Sequence, residues 1–272
     1  LLEPLIVVWC VWGLELSDTL LLLPFFGLLL VLCGLCAGIM AAPLLDLAEK
    51  RRSTFLISAS LGNHGFTMGG ILCYLFLGEQ GLGLSVILVL YFIPYVYGCI
   101  FPYAKAAASA GQHEQKSIFR EYILDARNMP LVALAATVVL HVLGIRRPAI
   151  AVPVDLLLAL SIALYYLTLG INFISGNLRG LLREHLCLAG IKFLVVPLVT
   201  AGILFVVPCD QSVKAVILLQ ACMPAAVYSV VTAVLFELDA PFASSLFVVN
   251  TAFFLGVVLP LLFFVKGLIP GV

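Results

Sequence analysis

The sequence predicts an all-α integral membrane protein built from two inverted halves, each interrupted by one broken helix. Three observations carry this. Of 272 residues, 64% are hydrophobic and only 10% charged, with mean hydropathy +1.22, whereas soluble domains are about one-quarter charged. Apolar runs of roughly 20 residues, enough to cross hydrocarbon, follow one another with little interval. They do not alternate apolar and polar residues as barrel strands would, so the backbone must satisfy its hydrogen bonds within helices.

Nine spans are expected, at about 1–16, 20–42, 53–77, 82–104, 129–144, 152–175, 186–207, 212–236 and 241–265. The longest polar interval, 105–128, reads as a surface linker with an amphipathic helix, dividing a first half (1–104) from a second (129–272). Lys50, Arg51, Arg52, Lys105, Lys116, Arg120, Arg127, Arg179 and Arg183 fall on the linker's side of the membrane. Arg146, Arg147, Lys214 and Lys266 fall on the other. The excess makes the linker side cytoplasmic and the C-terminus external, with Arg146 and Arg147 running against the rule.

Formal net charge is zero, which favours no nucleic-acid partner. Cys33-x-x-Cys36 has no His or second Cys pair to complete a metal site. It reads as small apolar packing, and no cofactor is expected.

Shifting the chain by 160 lays Phe76, Glu79 and Ser85 on Phe236, Asp239 and Ser245, and Gly62–Gly65 on Cys222–Ala225. Each half thus carries a helix-breaking cluster midway along its second-from-last span, and the two spans enter from opposite sides. Such inverted repeats with discontinuous helices mark secondary transporters. The repeat also implies five plus five helices, so that a first helix and part of a second would precede Leu1; nine of an expected ten spans are present.

In the first break, SLGNHGFTMGG at 60–70, Gly62 and Gly65 loosen the helix and Asn63 suits the N-cap of the half that follows. In the second, Pro224 suits the first turn of a new half-helix; a pair of ordinary kinks is the alternative. Two half-helix N-termini meeting at midplane would suit an anion, above all a carboxylate. The substrate-binding candidates are Asn63, His64, Gly65 and Thr67 from the first break, and Gln220, Met223, Pro224, Tyr228 and Ser229 from the second.

Several roles stay open at this point. Asn63 reads as a substrate donor or a pure cap. His64 reads as a proton-coupling or anion-binding group, or as a neutral histidine packed between helices. Gln220, Tyr228 and Ser229 read as substrate contacts or interhelical hydrogen bonds. Asn250, Asn172 and His141 read as helix packing. Lys192 reads as a lysine snorkelling to a membrane face near Arg183 and His185, with an anion-holding role as the alternative. Glu79 and Asp239 read as solvated helix ends.

GNHGFTMGG after Ala48-Glu49-Lys50-Arg51-Arg52 resembles the G-N-T-G-F-x-G pattern of the auxin efflux carrier family, which includes malate permease-like proteins. Asn128-Met129-Pro130 resembles the Asn-Pro opening of that family's second half. Gln220-Ala-Cys-Met-Pro-Ala-Ala-Val-Tyr-Ser-Val-Val and Ala243-Ser244-Ser245 resemble its ninth and tenth helices. The resemblance runs through about 43–265. It implies ten helices, with broken helices four and nine crossing in a mobile block, a scaffold of helices one, two, six and seven, and a homodimer through that scaffold. The wider superfamily includes bile acid:sodium symporters. His64 stands where the family commonly has a small polar residue, and Gly70 where a proline often follows. No carboxylate stands at the second break, which argues against sodium coupling.

The expected function is therefore alternating-access transport of a small organic anion, driven by protons or membrane potential, in a bacterial inner membrane. A non-transporting sensor or scaffold is the rival. An intramembrane enzyme is disfavoured because no paired His/Glu/Asp cluster or nucleophile–base constellation lies within the spans.

Overall fold

The structure is a computed structural model describing residues 2–14, 18–65, 68–108, 129–171 and 181–268. The helices in chain order are α1 (Leu2–Trp12), α2 (Leu22–Ala41), α3 (Glu49–Ser60), α4 (Gly69–Leu88), α5 (Phe92–Tyr95) and α6 (Phe101–Ala108). After the linker come α7 (Met129–Val142), α8 (Val154–Ile171), α9 (Leu182–Gly190), α10 (Val196–Val206), α11 (Gln211–Ala221), α12 (Val227–Leu235), α13 (Ala240–Phe253) and α14 (Leu259–Leu268). Three π-helical segments, Val96–Ile100, Ile191–Val195 and Phe254–Val258, join neighbouring helices into continuous spans. Most of the linker lies outside the described residues; its first four positions continue α6.

Among the described residues, four stretches are long and apolar enough to cross a membrane: Leu22–Leu44, Gly69–Ala108, Leu182–Val206 and Ala240–Lys266. The second is 40 residues long. At 1.5 Å per residue a straight helix of that length would reach about 60 Å, twice the ~30 Å hydrocarbon core. It is broken at Gly78, whose φ of 63° and ψ of −153° lie outside any helix. That break separates the expected spans 53–77 and 82–104.

The predicted span 53–77 is itself two helices, α3 and the first part of α4, with residues 61–68 between them. The predicted span 212–236 is likewise α11 and α12, separated by 222–226. The two broken spans run in opposite directions. At the start of α3, Arg51 Nε donates to Asp239 Oδ2 at 2.7 Å and Lys50 Nζ to the Glu237 carbonyl at 3.1 Å, tying it to the turn after α12. At the opposite end, Glu79 and Gln80 after the Gly78 break line the same cavity as Asp210 and Ser212 at the start of α11.

α3 reads EKRRSTFLISAS, too polar to face lipid, and it is enclosed by protein from Ser53 onward. Its hydroxyls are satisfied internally: Thr54 donates to the Lys50 carbonyl at 2.8 Å and Ser58 to the Thr54 carbonyl at 3.0 Å. One apolar core links α1, α2, α4 and α11, and a second packs α2 and α3 against α9 and α13 around the breaks. Large apolar side chains such as Phe25, Leu198, Phe205 and Phe264 are exposed on the periphery, as lipid-facing positions require. Cys33 is half-buried but Cys36 is exposed, so burial does not account for both cysteines of that pair.

Candidate functional site

The two breaks meet. Gly62 and Ala225 form an antiparallel bridge. Asn63 N–H donates to the Pro224 carbonyl at 2.8 Å, and Ala226 N–H donates to the Leu61 carbonyl at 3.0 Å. A backbone that leaves the helix inside a membrane protein must find partners elsewhere, and here each break supplies them to the other.

This pairing changes how the half-helices start. α4 begins at Gly69 behind Met68, which gives no side-chain cap. The Asn63 and Gly65 carbonyls accept from Gly69 and Gly70 N–H, each at 3.0 Å. The expectation that Asn63 stands at the N-cap is therefore corrected: the bridge ties residues 61–63 to 224–226, and the helix resumes later. Pro224 is likewise not in the first turn of α12, which starts at Val227 behind Ala226. It sits in the extended link, where its missing N–H costs nothing and its carbonyl serves the bridge. The N–H groups of Asn63, Gly69, Gly70, Ala225 and Ala226 are all engaged within the protein, so the breaks are not open rows of free donors.

His64 is 5% exposed. Its Nδ1 lies 2.7 Å from the Tyr91 hydroxyl, and its Nε2 occupies the volume a Cβ on Gly62 would need. The imidazole is thus folded back on its own break. Gln220 is fully buried; its Nε2 donates to Cys73 Sγ at 3.5 Å and its Oε1, without a hydrogen-bond partner, stands against Gly69. Met223 and Pro224 are buried in the link. Gly65 is half-buried in the first break, and Thr67 lies outside the described residues.

The remaining two candidates lie on α12, just past the second break. Ser229 donates its hydroxyl to the Ala226 carbonyl at 2.7 Å, closing the first turn of α12. The Tyr228 ring packs edge-on to Phe92 at 4.9 Å and stacks with Phe101 at 6.4 Å, joining an aromatic cluster.

Three residues outside the sequence-derived candidates belong to the crossing. Asn250 Oδ1 accepts from Ala225 N–H at 2.8 Å, pinning the second break, while its Nδ2 has no partner among the described residues. Tyr91 holds His64 from 27 positions away. Lys192 does not snorkel: it is 3% exposed and donates to the Ser60 carbonyl at 3.2 Å, at the end of α3. A lone lysine deep in an apolar run was the available signal, but the sequence does not say which way that face of the helix points.

At the Glu79 end a cavity of about 550 Å³ is lined by Cys10, Leu20, Glu79, Arg147, Asp210 and Ser212. Arg147 donates to Glu79 Oε2 at 2.9 Å and to the Trp9 carbonyl at 3.3 Å, with its guanidinium 4.7 Å from the Trp9 ring. Tyr74 donates to Asp155 Oδ1 at 2.5 Å nearby. The charge at Arg147, out of place by the positive-inside count, is thus a structural tie.

A family profile described as Membrane transport protein matches residues 15–264. No curated protein and no solved structure matches the chain.

Proposed function

The chain belongs to the membrane transport protein family, that of the auxin efflux carriers, and is an integral multi-pass membrane protein; from that premise we propose that it carries a small organic anion, a carboxylate in particular, by alternating access. The observation that carries this reading is the paired breaks. They bring together the links that precede α4 and α12, near a buried cation, Lys192, that has no carboxylate partner among the described residues. The positive ends of half-helices favour negative charge, and the Lys192 ammonium adds to the positive field there. The unpartnered Nδ2 of Asn250 supplies a donor with a direction.

The substrate seat is the crossing, with Asn63, His64, Gln220 and Asn250 as its polar groups. The block carrying the breaks moves against α1, α7 and α8, which also provide the surface for a homodimer. His64 is the proton-coupling group of this reading, and the membrane a bacterial inner membrane.

Purified protein in proteoliposomes, offered a panel of radiolabelled carboxylates with pH, sodium and voltage imposed separately, tests the proposal. Saturable uptake that falls at least tenfold in Asn63→Ala or His64→Ala is expected. Uptake unchanged in both variants removes the site assignment. Carboxylate binding without flux in wild type instead identifies a transporter-like sensor.

A further inference from the structure

Among the described residues, Lys192 is the one lysine or arginine that is buried. Its placement is specific. It lies in the π segment Ile191–Val195, and such segments, which shift side chains out of the regular helical register, recur at functional sites. Its ammonium donates to the carbonyl of Ser60, the last residue of α3. The Ser60 hydroxyl is held in turn by the Val31 carbonyl at 3.1 Å and the Tyr95 hydroxyl at 2.7 Å. At Gly34, α2 approaches so closely that a side chain there would strike the Ala59 carbonyl. The end of α3 is thus a fixed, protein-enclosed cluster of oxygens.

A half-helix C-terminus carries roughly half a negative charge. In carriers with discontinuous helices, such ends and the unwound carbonyls after them coordinate the coupling cation. We propose that the ε-ammonium of Lys192 is a resident cation at this position, a tethered substitute for an exchangeable alkali ion. The crossing is then electrostatically complete without sodium. Replacing the lysine with a short neutral residue converts the place into a site for a free monovalent cation. The inference goes beyond what is carried, and its readout needs no substrate, so its failure would leave the carrier reading standing.

The test is thermal unfolding of the full chain in detergent, titrated with NaCl against choline chloride at equal ionic strength. Wild type and Lys192→Arg are expected to show no sodium-specific shift in Tm. Lys192→Ala and Lys192→Ser are expected to gain a saturable rise of several degrees with sodium or with n-propylammonium, which restores the deleted atoms, because a ligand of the folded state stabilises it in proportion to RT ln(1 + [L]/Kd). Lys192→Met, whose side chain fills the space, should respond to neither. A saturable sodium shift in wild type overturns the proposal, and so does a folded Ala or Ser variant indifferent to both cations. Should neither variant fold, the wild-type titration decides: the absence of a sodium shift supports the proposal and its presence overturns it.

Discussion

His64 folds back over Gly62, its Nε2 standing where residue 62 would carry a Cβ. The glycine is there to seat the imidazole as well as to loosen the helix. Gly62→Ala should therefore lower Tm by the equivalent of about 1–3 kcal/mol, the usual cost of overpacking. His64→Gly should restore most of that loss in the double variant. Unfolding of the two singles and the double tests the pair; simple additivity would show that the imidazole does not own that space.

Asn250 offers a sharper separation of structure from transport. Asn250→Ala strands the Ala225 N–H in the interior, at a cost of about 1–3 kcal/mol. Asn250→Asp keeps the acceptor oxygen, so the second break stays pinned and Tm falls less. It also adds a negative charge beside the proposed anion seat, so uptake should be abolished. Retained carboxylate uptake in a folded Asn250→Asp protein would place the seat elsewhere.

Gly78 and Glu237 both have positive φ at the turns ending the two broken spans, but their tolerance differs. Gly78, with ψ of −153°, occupies a region that is essentially glycine-only, and Gly78→Ala should cost about 1–3 kcal/mol. Glu237, at φ 53°, bears a left-handed strain that glycine would relieve. Glu237→Gly keeps the carbonyl that Lys50 uses, and should be neutral or stabilising by thermal unfolding.

The Arg147–Glu79 pair joins the α7–α8 connection to the turn at Gly78. Both side chains are about a third exposed, 33% and 38%, and such pairs contribute only about 0–1 kcal/mol to stability. Glu79→Gln should thus leave Tm nearly unchanged. If the crossing block moves against α1, α7 and α8, the same change should alter uptake rate and weaken its dependence on ionic strength. A rate and salt response identical to wild type would show that this tie stays closed throughout the cycle.

The spans were legible in the sequence because lipid leaves few alternatives to long apolar helices, and Gly78 explains why two of them could be separated without a polar loop. The 160-residue correspondence left a local trace as well. The Ser85 and Ser245 hydroxyls each donate to the carbonyl three residues earlier, Leu82 at 2.7 Å and Phe242 at 2.9 Å. Glu79 and Asp239 do mark helix ends, and Asp239 caps α13 by accepting from Phe242 N–H at 3.0 Å. The starts of the half-helices were not legible. Asn63 and Pro224 carry strong local cap and first-turn signals, but the bridge between Gly62 and Ala225, 163 positions apart, overrides both. Lys192, Asn250 and Tyr91 were missed for a related reason: hydropathy locates a span without saying which residues on it face the crossing.

The polarity of α3 reaches back to how the protein is made. A helix beginning EKRRST gains little by partitioning from the translocon into lipid on its own; its basic start is partnered by the turn at 237–239 and its length is packed against α2 and α13. Two of those three partners, the turn and α13, are synthesised later, Asp239 lying 188 positions beyond Arg51. The first break must therefore wait, incompletely housed, until the second arrives, so that mutations in either one bear on biogenesis as well as on folding stability.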